Sequence, residues 1–418
     1  MTQLILLGAG ASVEAGIPGA FGMTREFIRL FEKDIDLRDE SRALRYVVGG
    51  LLFHKGANGG DPLSGVNIED VFSAMQMLAT RRTNDAAPFV AAWHSMLDDI
   101  DIIYPKPSRR HRRYPPDDLD ECKEKAARGV DAALESLISG KKAEQYKTVA
   151  TQIRRLIHWY VSEIDDGPVQ EPGDGRLFQR TCSAMTQKLV DLALVTDPSR
   201  AKYLRPLVEH AAEYKVPIVT LNYDTTIDTI ADAENAPFVM DFCDFGDFPQ
   251  PSERGAYIPY IKLHGSISWT FKESGMNPKE YRDLLPHTEI IGVSIEQAKK
   301  PGFQPAVIFG QRNKLSEKGP FLDLLMSFRA LLKQTEELIV IGYSFRDEHV
   351  NEYIRRWFNQ KKNTRVVIVD CEDFNNALFP VPFAADLTSH TSRVRVLTNG
   401  AASGIAELFG QQNLKLPI

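Results

Sequence analysis

Leu4-Ile5-Leu6-Leu7-Gly8-Ala9-Gly10-Ala11-Ser12 is the stretch that decides the fold. Its four consecutive Leu and Ile residues read as a short strand buried on both faces, the kind found in parallel sheets. Two glycines at the carboxyl end let the chain turn tightly and bring backbone N–H groups close to a phosphate. Val13 stands where the usual dinucleotide fingerprint has its third glycine, and Gly16-Ile17-Pro18 closes the turn before a helical pattern begins near Met23-Thr24-Arg25-Glu26-Phe27. By itself such a turn is as often structural as nucleotide-binding.

Similar runs recur in the second half of the chain. Val216 to Leu221 leads into Asn222-Tyr223-Asp224, and Tyr257 to Leu263 leads into His264-Gly265-Ser266. Ala306 to Gly310 is a third candidate strand. Glu337 to Ile341 leads into Gly342-Tyr343-Ser344-Phe345, and Arg365 to Val369 ends in Asp370. Apolar runs that each end in polar or glycine residues predict an α/β protein with an open, Rossmann-like parallel sheet, whose ligands bind beyond the carboxyl ends of the strands.

Between these two regions the pattern is helical, as in Ile68 to Met75 and Thr148 to Ile164, with apolar residues three and four apart. The predicted organisation is one Rossmann domain from residues 1–37 and 205–418, with a helical insertion over 38–204. Inside the insertion lies the basic, proline-rich run Tyr104 to Pro116, followed by Asp117, Asp118, Asp120 and Glu121. It reads as a solvated loop or as a contact for acidic partners, direct nucleic-acid binding included.

Composition narrows the class. A chain of 418 residues with 43% hydrophobic and 25% charged residues is ordinary for a globular protein. A net charge of −6 argues against nucleic-acid binding through overall charge. With no apolar run of about 18 residues, no membrane span is expected. No signal peptide is read at the amino terminus, so the expected location is cytoplasmic. Cys122, Cys182, Cys243 and Cys371 make no CxxC pair, so neither a zinc ribbon nor a disulfide framework is expected, and no metal.

Each strand end has two readings. Asn222 and Asp224 point toward one crevice, or cap their own turn. His264 is a site residue, or a packed and hydrogen-bonded one, as a lone His more often is. Asp370 binds ribose hydroxyls or caps the next turn. The Gly342-Tyr343-Ser344 turn admits close backbone approach to a ligand, or is a plain turn. His349 and Asn351, after Arg346-Asp347-Glu348, fit the first turn of a surface helix equally well.

Taken together, Gly8-Ala9-Gly10-Ala11-Ser12 with Gly16-Ile17-Pro18, then Thr220 to Asp224, then Leu263 to Ser266, then Gly342 to Ser344 resemble the sirtuin family in order and spacing. The resemblance covers about residues 1–35 and 210–375. It implies NAD as ligand and substrate. The first turn (Gly8, Ala9, Gly10, Ala11, Ser12, with Pro18) would wrap the diphosphate. Asn222, Asp224 and His264 would line the nicotinamide-ribose pocket, with Asn222 and His264 catalytic. Gly342, Tyr343 and Ser344 would hold the adenosine half, joined by Asp370.

The chain also departs from deacylating sirtuins. It lacks their four-cysteine zinc module, it has Gly19-Ala20-Phe21 in place of their Asp-Phe-Arg, and Leu221 stands where they have Gln. It is more similar to the sirtuin-like domains of bacterial antiphage defence, which consume NAD. That resemblance implies an NAD+ hydrolase releasing nicotinamide and ADP-ribose, with two alternatives: a protein deacylase or ADP-ribosyltransferase, and a non-catalytic NAD or ADP-ribose sensor. There is no Gly-x-x-x-x-Gly-Lys-Ser/Thr pattern, so ATP-driven sensing would need another chain. Relatives of this length resemble partners of hexameric HerA-type ATPases, so a homo-oligomer with such a ring ATPase as partner is expected.

Overall fold

The computed structural model describes residues 2–81, 83, 175–236, 238–240, 258–274, 287–310, 320–371 and 382–410. A seven-stranded sheet organises them, ordered β3-β4-β2-β1-β7-β8-β9. The strands are β1 (Gln3–Leu7), β2 (Ile218–Thr220), β3 (Phe238–Met240), β4 (Ile258–Lys262), β7 (Glu337–Ile341), β8 (Arg365–Asp370) and β9 (Val394–Thr398), and every pairing is parallel. This is the expected α/β, Rossmann-like parallel sheet. β1 lies at its centre, with Leu6 opposite Val219 on one side and Val340 on the other.

Alternation along β1 explains why its run has no polar position. Leu4 and Leu6 enter one core with Val219, Ile261, Val340 and Ile368. Ile5 and Leu7 enter the other with Ile218, Tyr260, Ile341 and Val369. Successive side chains point to opposite faces, and both faces are covered.

Helices α1 (Ala20–Lys33), α2 (Arg38–Ala57) and α3 (Ile68–Ala79) follow β1, and α4 (Arg176–Ala193), α5 (Arg205–Tyr214) and α6 (Thr226–Ala233) come later. The second half adds α7 (Pro320–Gln334), α8 (Glu348–Gln360), α9 (Pro382–Thr388) and α10 (Ala401–Phe409). α1 buries Met23, Phe27 and Phe31, and α3 buries Val71, Phe72 and Met75. Phe309 joins them, its ring centroid 4.5 Å from Phe72 and 6.2 Å from Phe27. No described helix is long and apolar enough to cross a membrane.

The expected strand at Ala306 to Gly310 does not form. It makes an isolated antiparallel bridge, Val307 opposite Gly265, outside the sheet. Ala306, Ile308 and Phe309 are buried, which accounts for the apolar run. Their backbone serves the His264 loop instead: Ile308 N–H donates to His264 O at 2.8 Å, and Ser266 N–H to Ala306 O at 3.2 Å. β3, β9 and the hairpin of β5 (Trp269–Ser274) with β6 (His287–Gly292) are strands the sequence reading did not contain.

The contacts divide the chain into two compact units, Met1–Arg81 with Phe178–Ile418, and Arg82–Leu177. The first contains residues 38–81 and 178–204 of the helical segment, and α2 and α3 pack on α1. The basic run Tyr104 to Pro116 lies outside the described residues.

Candidate functional site

β2 leaves the central strand in one direction and β7 in the other, so the sheet changes direction beside β1. In an open α/β sheet the crevice beyond the carboxyl ends at such a point is where ligands bind. A cleft lies there. Gly8, Ala9, Ile17 and Pro18 line it from the β1 side, Leu221 to Asp224 from β2, His264 from β4, and Tyr343, Ser344, Arg346 and Asp347 from β7. Asn67, Ile68 and Glu69 close it from the start of α3.

The two glycine turns lock together. Gly8 N–H donates to Ile341 O at 2.9 Å, and Gly10 N–H to Gly342 O at 2.8 Å. Gly342 has φ +63°, and a Cβ there would sit 2.2 Å from Ala11 N. No other residue fits that position. Ala11 N–H donates to Gly8 O at 2.9 Å. The sequence expectation of N–H groups presented to a phosphate therefore narrows to Ala9, whose N–H has no acceptor among the described residues. Gly10, Ala11, Ser12 and Gly342 do not line the cleft but build the turn that does.

Asn222 braces this turn from the next strand. Its Nδ2 donates to Gly8 O at 2.8 Å and to Ser12 Oγ at 3.1 Å. The amide oxygen has no partner among the described residues and remains to accept from a ligand or water. Asp224 Oδ1 accepts from Thr226 N–H at 2.9 Å, which fixes the carboxylate at the start of α6. Below it Lys262, fully buried, donates to Asp224 O at 2.7 Å and pairs with Asp228 at 2.7 Å.

His264 is placed by a glycine and a carboxylate. Gly265, at φ +81°, passes so close to Ala306 that a Cβ would meet its carbonyl oxygen at 2.1 Å. His264 Nε2 lies 2.9 Å from Asp347 Oδ2, both side chains buried. Nδ1 has no partner among the described residues. Asp347 is a cleft residue that sequence reasoning missed, having weighed only His349 and Asn351, after Arg346-Asp347-Glu348, as the first turn of a helix. That turn does start a helix, α8, which Asp347 caps by accepting from His349 N–H at 3.0 Å. No local pattern told that its second oxygen meets His264.

Tyr343, expected to hold cofactor, borders the cleft but turns its hydroxyl inward, 2.9 Å from Asn351 Oδ1. Asn351 Nδ2 donates to Phe345 O at 2.7 Å, so this residue is buried rather than on a surface helix face. Asp370 ends β8 as expected but does not line the cleft.

Charge around the cleft is mostly negative. Glu69, Asp224 and Asp347 line it, against Arg346, whose guanidinium lies 5.4 Å over the Phe21 ring. Burial, then the fields of Glu69 and Asp224, push the Tyr223 phenol well above its ordinary value. Glu69 and Arg346 were also missed. Asn67 and the acidic residues after it mark a helix start, with Glu69 N–H capped at 2.9 Å, and nothing in that pattern points to a cleft.

No curated protein matches this chain. Among solved structures it is similar to a Sir2 homolog–NAD complex, at 11% identity over 98% of this chain and 88% of that one, with TM-score 0.34. A mutant Sir2 homologue bound to ADP-ribose matches at 13% identity over 58% and 80%, TM-score 0.33. Sir2Tm bound to a propionylated peptide matches at 13% over 51% and 71%, TM-score 0.28. Residues 216–380, the stretch that supplies Asn222, Asp224, His264, the Gly342 turn and Asp347, match the family model described as SIR2-like domain.

Proposed function

We propose that the protein hydrolyses NAD+ at the nicotinamide–ribose bond, giving nicotinamide and ADP-ribose. One observation carries the reading: Asn222, Asp224 and His264, from three strand ends, share one cleft with the Gly8 turn where the sheet changes direction. The SIR2-like match over residues 216–380, which hold Asn222, Asp224 and His264, supports NAD as the substrate class.

The chemistry suits these residues. Nicotinamide leaves as a neutral base, so the leaving group needs no acid. Positive charge grows on the ribose in the transition state, and the carboxylates Glu69 and Asp224 at the cleft favour it. The Asn222 oxygen orients water or a ribose hydroxyl, which lowers the entropic part of the barrier. His264 accepts the proton released as water adds. Arg346 supplies positive charge for the diphosphate.

The expected role is an NAD-depleting effector in antiphage defence. It would assemble as a homo-oligomer and be switched on by a HerA-like ring ATPase, with the segment 38–204 and the run Tyr104 to Pro116 as contact surfaces. Incubating the purified chain with NAD, with and without that ATPase, and measuring nicotinamide release tests the activity. Light scattering tests the assembly. A monomer at micromolar concentration with full activity and no partner would overturn the gating. Turnover only with an acyl-lysine peptide or an acceptor protein, or tight binding without turnover, would replace hydrolysis by one of the two alternatives.

A further inference from the structure

Asp347 divides two tasks between its two oxygens. Oδ1 accepts from the N–H groups of His349 and Val350 at 3.0 and 3.3 Å, capping α8. Oδ2 lies 2.9 Å from His264 Nε2. An ionised carboxylate only accepts, so the ring nitrogen facing it carries the proton. A neutral imidazole then has its lone pair on Nδ1, the nitrogen left without a partner. The backbone of Asp347 is itself held, because its N–H donates at 3.2 Å to the Tyr343 hydroxyl, which donates in turn to Asn351 Oδ1 at 2.9 Å.

We propose that Asp347 is a positioning residue that locks His264 in the Nε2–H tautomer and so makes Nδ1 the proton acceptor. The inference rests on the hydrolysis reading above. As the C1′–nitrogen bond of NAD breaks, its electron pair neutralises the pyridinium ring, and the oxygen of water bonds to C1′. The proton lost by that water passes to Nδ1. The resulting imidazolium keeps its bond to Asp347 and later releases the proton to solvent. A negative partner at Nε2 stabilises this cation as it forms.

The cap and the pairing separate in Asp347→Asn. Asn caps a helix as well as Asp does, so its oxygen keeps the His349 and Val350 bonds. Its Nδ2 then faces His264 and can only donate, which forces Nε2 to accept and moves the proton to Nδ1. Histidine ¹⁵N NMR on the full chain, with the signal assigned by His264→Gln, reads the tautomer directly. The expected result is Nε2–H in the unsubstituted protein and Nδ1–H in Asp347→Asn. Nicotinamide release should fall about 10²- to 10⁴-fold in kcat, with KM changed less than about threefold. Asp347→Ser, which caps but cannot reach the ring, should show both tautomers and an intermediate rate. An Nδ1–H ring in the unsubstituted protein, or an Asp347→Asn variant that keeps Nε2–H or its rate, overturns the assignment. If the unsubstituted protein releases no nicotinamide under any condition, the hydrolysis reading fails, and the spectra alone decide. Loss of Nε2–H in Asp347→Asn then still supports the positioning role, and its persistence overturns it.

Discussion

The two ends of the central sheet each hold a histidine, buried at the carboxyl end and half-buried at the amino end, and the two rings sit in opposite company. At the carboxyl end His264 faces the carboxylate of Asp347 from a cleft lined by strand-end polar groups. At the amino end His210 Nε2 meets the neutral amide oxygen of Gln3 at 2.9 Å. Its ring packs against Tyr214 and Phe409, tilted to both, at centroid distances of 4.8 and 4.7 Å. Burial, the larger effect, lowers the His210 pKa against the weaker pull of Glu213 and Glu337. The same residue type is thus packed between aromatic rings at one end and paired with a carboxylate in the cleft at the other. Partners brought from far along the chain make the difference: Gln3 is 207 residues from His210, and Asp347 is 83 from His264.

The sharpest break of this comparison is a pair of substitutions. His264→Ala should lower nicotinamide release by about 10²-fold or more, while His210→Ala leaves the rate within about twofold. Equal losses in the two variants would erase the distinction between the ends. Gly342→Ala comes next. It combines a left-handed backbone with a Cβ overlapping Ala11, and should cost about 4 kcal/mol in urea unfolding as the two turns separate. An unchanged midpoint would show that the turns are not locked.

Lys262→Met tests whether the carboxyl end tolerates an unpaired buried group. Removing the ammonium leaves Asp228 and the Asp224 carbonyl without it, for about 3 kcal/mol of lost stability. A neutral or stabilising result would mean that methionine packing compensates there. The smallest effect concerns pH. Burial lowers the pKa of His210 in the folded chain, whereas an unfolded histidine takes its proton near about pH 6.5. The folded state then binds fewer protons, and stability falls as pH drops from about 6.5 toward the lowered folded value. His210→Gln lacks this loss. Thermal melts at pH 7 and pH 5 should show a larger drop for the unsubstituted protein than for the variant.

β1, β2, β4, β7 and β8 were legible because each carries an unbroken apolar run, which only a strand covered on both faces needs. β3 and β9 escaped notice for the complementary reason. They are the edge strands, each with one neighbour, and Val394-Arg395-Val396 alternates polar residues into an otherwise apolar segment. Ala306 to Gly310 reads as a strand because burial, not sheet pairing, sets its composition. A run of apolar residues reports that a segment is inside and leaves open what its backbone bonds to.

The same limit applies within the cleft. From the sequence alone came the parallel α/β sheet, the glycine turns, and Asn222, Asp224 and His264 as candidates at strand ends, because strand period and turn chemistry are local properties of a few residues. The tertiary structure alone decided that Gly342 must have no Cβ because Ala11 crosses it. It also decided that the Asn222 amide nitrogen holds the Gly8 turn, and that the second oxygen of the helix cap Asp347 meets His264. Those are contacts between segments separated by 83 to 331 residues, and such contacts exist only once the sheet has brought its strand ends together.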